Sequence, residues 1–140
     1  MKELFRVQES GATPQELMDL QVALGYNLPT AYLRLLAETN GAEWGVHDGN
    51  SGECLVLWQV NEIVTMNQGY QIQRWLPDVL AVGSDGGGDA VVLDRSSLSH
   101  PDVWPVARVG FGDLEADGMI LQAHSFADWA SNEFRLTKGG

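Results

Sequence analysis

Cysteine is nearly absent. Cys54 stands alone, so no internal disulfide can staple the fold, and a reducing compartment suits the chain. Positive charge is scarce as well. Eight Lys and Arg face nineteen Asp and Glu, for a formal charge of −11. A surface this acidic repels nucleic acid, whose binding needs clustered cations to displace counterions. No apolar run approaches the ~20 residues needed to span a bilayer. The opening Met1 to Arg6 lacks a long apolar core and a cleavage pattern. The expectation is therefore a cytoplasmic protein without a signal peptide. The three histidines, His47, His100 and His124, lie in separate segments without metal-ligand spacing, so no metal or cofactor is expected.

What is present suffices for one domain. The chain has 140 residues, 44% of them hydrophobic, enough for a core without disulfides. Repeats and low-complexity tracts are missing. The acidic excess suits a basic partner, and it also favours plain solubility.

The organising stretch runs from Pro77 to Asp94. Two apolar runs, Val79 to Val82 and Ala90 to Leu93, flank Gly86-Gly87-Gly88. This predicts a β-hairpin whose tip carries Ser84, Asp85 and Asp89. The glycines are not a P-loop, because Asp89 and Ala90 stand where Lys and Ser or Thr belong. Val82 occupies the first Gly position of a nucleophile elbow. Asp85, Asp89 and Asp94 offer hard oxygens but lack EF-hand spacing. Gly86, Gly87 and Gly88 are read as a structural turn in which at least one residue has positive φ. If Gly87 is that residue, Gly87→Val costs about 1 kcal/mol or more.

Helix signals precede the hairpin. Thr13, Pro14 and Glu16 form a capping signal for a helix with Leu17, Leu20 and Leu24 on one stripe, ended by Gly25. Pro29 opens a second helix bearing Tyr32, Leu33, Leu35 and Leu36, closed by Asn40-Gly41. Residues 42 to 52, with Trp44, His47 and Asp48, have loop composition. Glu53 to Trp58 reads as a strand with Cys54 as a buried thiol. Asn61 is the expected N-cap of a third helix with Ile63, Val64 and Met66, and its polar residues Asn67 to Gln73 predict partial exposure. Val103 to Val109 reads as a strand, with Pro105 at an edge or bulge. Phe111 to Gly118 is an acidic loop. Met119 to His124 is a short strand or linker. Ser125 caps a last helix that packs Phe126 and Trp129.

These segments resemble the SUKH superfamily, which holds Smi/Knr-type cell-wall-assembly regulator domains and bacterial toxin-immunity proteins. The likeness begins with Leu24 to Leu36 followed by Asn40-Gly41. It continues through Leu57-Trp58 with Val60-Asn61-Glu62-Ile63, then Val82 to Asp89. It closes on Ser125-Phe126-Ala127-Asp128-Trp129. Ala42 departs from the pattern where a further Gly is usual. The resemblance implies protein binding, with immunity against a basic, nuclease-type toxin or scaffolding of an endogenous partner as alternatives. A third alternative is a small-ligand or metal site at the Gly-rich tip. No catalytic set can be assembled from motifs, so no enzyme is expected.

The expected architecture is one α+β domain over 1–140, with its core at about 13–136. About five or six mainly antiparallel strands should carry helices on one side. Expected partner-binding residues are Trp44 as anchor, Asp85 and Asp89 at the tip, and Asp113, Glu115 and Asp117 as an acidic rim.

Overall fold

The computed structural model describes residues 5–8, 10–45, 54–97 and 99–137. Local signals fix the first helix, α1 (Pro14–Leu24). Thr13 Oγ1 accepts from the Glu16 amide at 3.1 Å, and Glu16 Oε1 accepts from the Thr13 amide at 2.9 Å. Gly25 closes the helix in the left-handed region, φ 86. The second helix, α2 (Thr30–Glu38), follows Pro29, which has no side chain able to cap it. Asp102 caps it from a distance, accepting from the Thr30 amide at 2.7 Å and the Thr30 hydroxyl at 3.2 Å. The Thr30 amide is the main reason that the Asp102 carboxyl sits below its ordinary pKa.

Among the described residues seven strands follow the order of the chain: β1 (Phe5–Gln8), β2 (Ala42–Gly45), β3 (Cys54–Leu57), β4 (Val79–Ser84), β5 (Asp89–Asp94), β6 (Val106–Gly110) and β7 (Ile120–Ala123). Every neighbouring pair is antiparallel. The α+β class holds, but the strand count exceeds the expected five or six. The addition is β2, which lies in the stretch read as a loop. Its four residues are too few to show alternation, yet they pair with both β1 and β3.

Three further helices complete the fold: α3 (Val60–Gly69), α4 (Ile72–Trp75) and α5 (Phe126–Ser131). The N-cap of α3 is Gln59, not Asn61; Glu62 Oε1 accepts from the Gln59 amide at 2.9 Å. Ser125 Oγ caps α5 by accepting from the Asp128 amide at 3.0 Å. Phe126 packs between Tyr32 of α2, 5.0 Å between ring centroids, and Trp129, 5.6 Å. Residues 79–83, 90–93 and 106–109 are buried without alternation, as strands covered on both faces must be. Pro105 precedes β6, an interior strand rather than an edge, and beside it the β6–β7 register shifts between Val106 and Ala107, as at a bulge. Cys54 is half-buried.

Of the polar residues expected to leave this region partly exposed, Gln68, Gly69, Tyr70, Gln71 and Gln73 are exposed, and Asn67 is buried. β3 pairs with β4 only at Gly83 and Ser84, which leaves Val79 to Ala81 without a strand on that side. Side chains take its place. Asn67, 3% exposed, donates through Nδ2 to Ala81 O at 2.8 Å and accepts from the Ala81 amide at 2.9 Å. Gln73 Nε2 donates to Val79 O at 2.7 Å and to Asn67 Oδ1 at 3.0 Å. A buried backbone group without such a partner is costly. Asn67→Ala should therefore lower stability by roughly 2–3 kcal/mol in urea unfolding with an unchanged m-value. A loss below about 0.5 kcal/mol would mean that the strand edge needs no side-chain partner.

Candidate interaction site

The β4–β5 hairpin closes through Ser84 to Asp89. Within the glycine tract only Gly86 has positive φ, 79°. A Cβ there would also collide with Cys54 Sγ. The expectation that at least one of the three has positive φ is met at Gly86, so the condition set for Gly87 is not fulfilled: a Cβ on Gly87 meets Asp85 Oδ1 at an ordinary 3.4 Å, and one on Gly88 meets open space. Cys54 lies against the tip, its Sγ 3.5 Å from Asp85 O.

The carboxylates of Asp85 and Asp89 both meet Arg108, with the Asp85 side chain 12% and the Asp89 side chain 34% exposed. Arg108 of β6, its side chain 2% exposed, donates through Nη2 to Asp85 Oδ2 at 2.8 Å. Its Nε donates to Asp89 Oδ2 at 2.8 Å. The other oxygen of Asp85 accepts from the amides of Gly87 at 2.8 Å and Asp89 at 3.1 Å. Burial pushes the Asp85 carboxyl up, but the Gly87 and Asp89 amides together with Arg108 outweigh it, and its pKa falls below the ordinary value. Burial also opposes the charge on Arg108. The hydrogen bond that Arg108 donates to Asp89 and the two carboxylate charges overcome this, so Arg108 stays a cation.

The acidic loop lies beside this cluster. Phe111, the first residue after β6, donates its amide to Gly88 O at 2.8 Å. A Cβ on Gly110 would lie 3.6 Å from Asp89 Oδ1 and 3.9 Å from Asp113 Cβ, so tip and loop adjoin. Leu114 and Met119 pack partly into the core and hold the loop down. Asp113, Glu115 and Asp117 are exposed. Among the described residues none of them forms an ion pair.

Aromatic side chains line the same neighbourhood. Tyr70 stacks on Phe111 with centroids 4.0 Å apart. Gln71 takes a left-handed conformation, φ 56, that few non-glycine residues adopt, and it joins α3 to α4. Trp75 at the end of α4 is 58% exposed and lines a shallow groove with Phe111, Asp113, Leu114 and Glu115.

The structure thus brings Asp85, Asp89, Asp113, Glu115 and Asp117 into one region. The backbone of Trp44 lies in β2, opposite Phe5 and Leu55, and not in a loop. His47 and Asp48 fall outside the described residues. His100 Nδ1 accepts from the Asp102 amide at 3.1 Å, away from the tip. Asp94 accepts from the Ser96 amide at 2.9 Å at the far end of the hairpin. Among the described residues no group of three His, Cys, Asp or Glu is placed to hold a metal, and no helix is long and apolar enough to cross a membrane. Sequence reasoning missed Arg108, Tyr70 and Trp75. A lone Arg inside Val106-Ala107-Arg108-Val109 was the available signal, because such a cation must find carboxylates or lie exposed.

Two outcomes follow for the tip. Gly86→Val should cost at least about 2 kcal/mol, and Gly87→Val under about 1 kcal/mol, by chemical unfolding. Equal losses would contradict the geometry. Because the folded pKa of Asp85 is depressed, its stabilisation is present above the unfolded value near 3.9 and disappears as pH falls through the folded one. The stability gap between wild type and Asp85→Asn should then be constant at neutral pH and shrink below about pH 4. A gap that persists into acid would assign the effect to shape alone.

A family model described as the SMI1 / KNR4 family (SUKH-1) matches residues 11–132, from the approach to α1 to the end of α5. No curated protein matches the chain. The hairpin, its glycine tip and helices α1 to α5 all fall within the matched span. The chain therefore belongs to the SMI1 / KNR4 family (SUKH-1).

Proposed function

We propose that this domain is a non-enzymatic module that binds a basic protein, and that it acts as a bacterial immunity protein against a basic, nuclease-type toxin. The observation that carries the proposal is the unpaired acidic loop, Asp113 to Asp117, beside exposed Tyr70 and Trp75. Arg108 is spent on Asp85 and Asp89, and Arg95 lies 3.5 Å from the Tyr26 centroid. The chain as a whole keeps a formal charge of −11. A toxin that grips nucleic acid offers the opposite charge. Carboxylates at the rim accelerate its encounter, and exposed aromatics hold it afterwards. The proposal replaces Trp44 with Trp75 as anchor and gives Asp85 and Asp89 the task of shaping the tip. It places the protein in the cytoplasm, where a lone Cys54 stays reduced.

The test is surface plasmon resonance against the protein encoded beside this chain, with growth protection on co-expression. Asp113→Asn, Glu115→Gln and Asp117→Asn combined should slow association at low salt by roughly tenfold and leave dissociation nearly unchanged. An unchanged association rate contradicts the acidic-loop role. Binding without growth protection contradicts immunity and points to an endogenous partner.

A further inference from the structure

We infer that the groove between Trp75 and the Phe111–Glu115 loop seats an arginine side chain presented by the basic partner. Its volume is about 280 Å³, room for a side chain rather than a folded element. Trp75 and Phe111 supply flat aromatic surface, and Asp113 and Glu115 supply two carboxylates on the same lining. A guanidinium satisfies both: its face stacks on a ring while its edge donates to carboxylates. An ammonium is more strongly hydrated and lacks the flat face. An apolar ligand would desolvate the carboxylates without replacing their hydrogen bonds, and an anion would be repelled. Arg74, the neighbour of Trp75 in the chain, already places a guanidinium 5.0 Å from the ring centroid. Arg74 is held from the side, its Nη1 donating to Gln71 Oε1 at 3.3 Å.

The groove is also fixed before a partner arrives. The Asn67 network anchors α3 to β4, the Gln71 turn sets α4, and the Phe111 amide ties the loop to Gly88. Such preorganisation lowers the ordering cost of binding. The inference rests on the proposed function only for the identity of the partner that carries the arginine.

The experiment titrates the ¹⁵N-labelled chain with acetyl-Gly-Arg-Gly-amide and with the same peptide carrying citrulline, which keeps the shape and removes the charge. The arginine peptide should shift the Trp75 indole and the amides of 111–115 saturably. The citrulline peptide should bind roughly tenfold more weakly, and Trp75→Ala, an exposed substitution, should abolish the response without lowering Tm. Equal binding of the two peptides, no response at 111–115, or shifts centred on Met18 and Val22 of α1 would overturn the inference. Toxin binding whose dissociation is unchanged by Trp75→Ala overturns the groove and leaves the proposed function standing. Peptide binding without toxin binding upholds the groove and removes the proposed function.

Discussion

The guanidinium of Arg108 is the point on which the central sheet and its hairpin tip depend. It is buried in an otherwise apolar stretch of β6, where an unpaired cation would be prohibitive. Asp85 and Asp89 lie on either side of the glycine turn, so the cation can be matched only if the hairpin closes in the observed register. The same contact relieves the repulsion between two carboxylates in a chain of charge −11. A buried pair of this kind adds little net stability over an apolar replacement, and its stronger effect here is to fix which turn geometry is allowed. The acidic loop inherits that geometry through the Phe111–Gly88 hydrogen bond.

A second polar network does comparable work at the other edge of β4. Asn67 and Gln73 stand in for a strand that β3 is too short to provide. In doing so they lock α3 and α4 against the sheet, which places Tyr70 against Phe111 and leaves Trp75 open. Two buried polar clusters thus position one exposed surface. Charge is divided accordingly, with Asp85 and Asp89 committed to Arg108 and Asp113, Glu115 and Asp117 left to solvent.

Features set by neighbours within a few residues were legible in the sequence. The Thr13–Glu16 capping box, the Gly25 stop, the hairpin strands and the Ser125 cap rest on local chemistry and appear where expected. Features set by distant neighbours were not. Ala42 to Gly45 becomes a strand because β1 and β3 flank it. Asn67 is buried because β3 stops at Leu57. Asp85 and Asp89 looked like free acids because Arg108, 23 and 19 residues later, gave no local sign of pairing with them. The demand for glycine at Gly86 was hidden in part because Cys54, 32 positions earlier by number, stands where a Cβ would go. The acidic loop itself was legible, since its exposure needs no partner.

The most direct test of the central dependence is amide hydrogen exchange of the wild-type protein, read as protection factors at pH 7 and near pH 3. Acid that titrates Asp85 weakens its hold on Arg108. If the cluster governs both tip and loop, protection at Gly87, Asp89 and Phe111 falls together while Val91 to Leu93 of β5 stay protected. Phe111 keeping its protection after Gly87 and Asp89 have lost theirs would contradict the account, because the loop would then hold its place without Arg108.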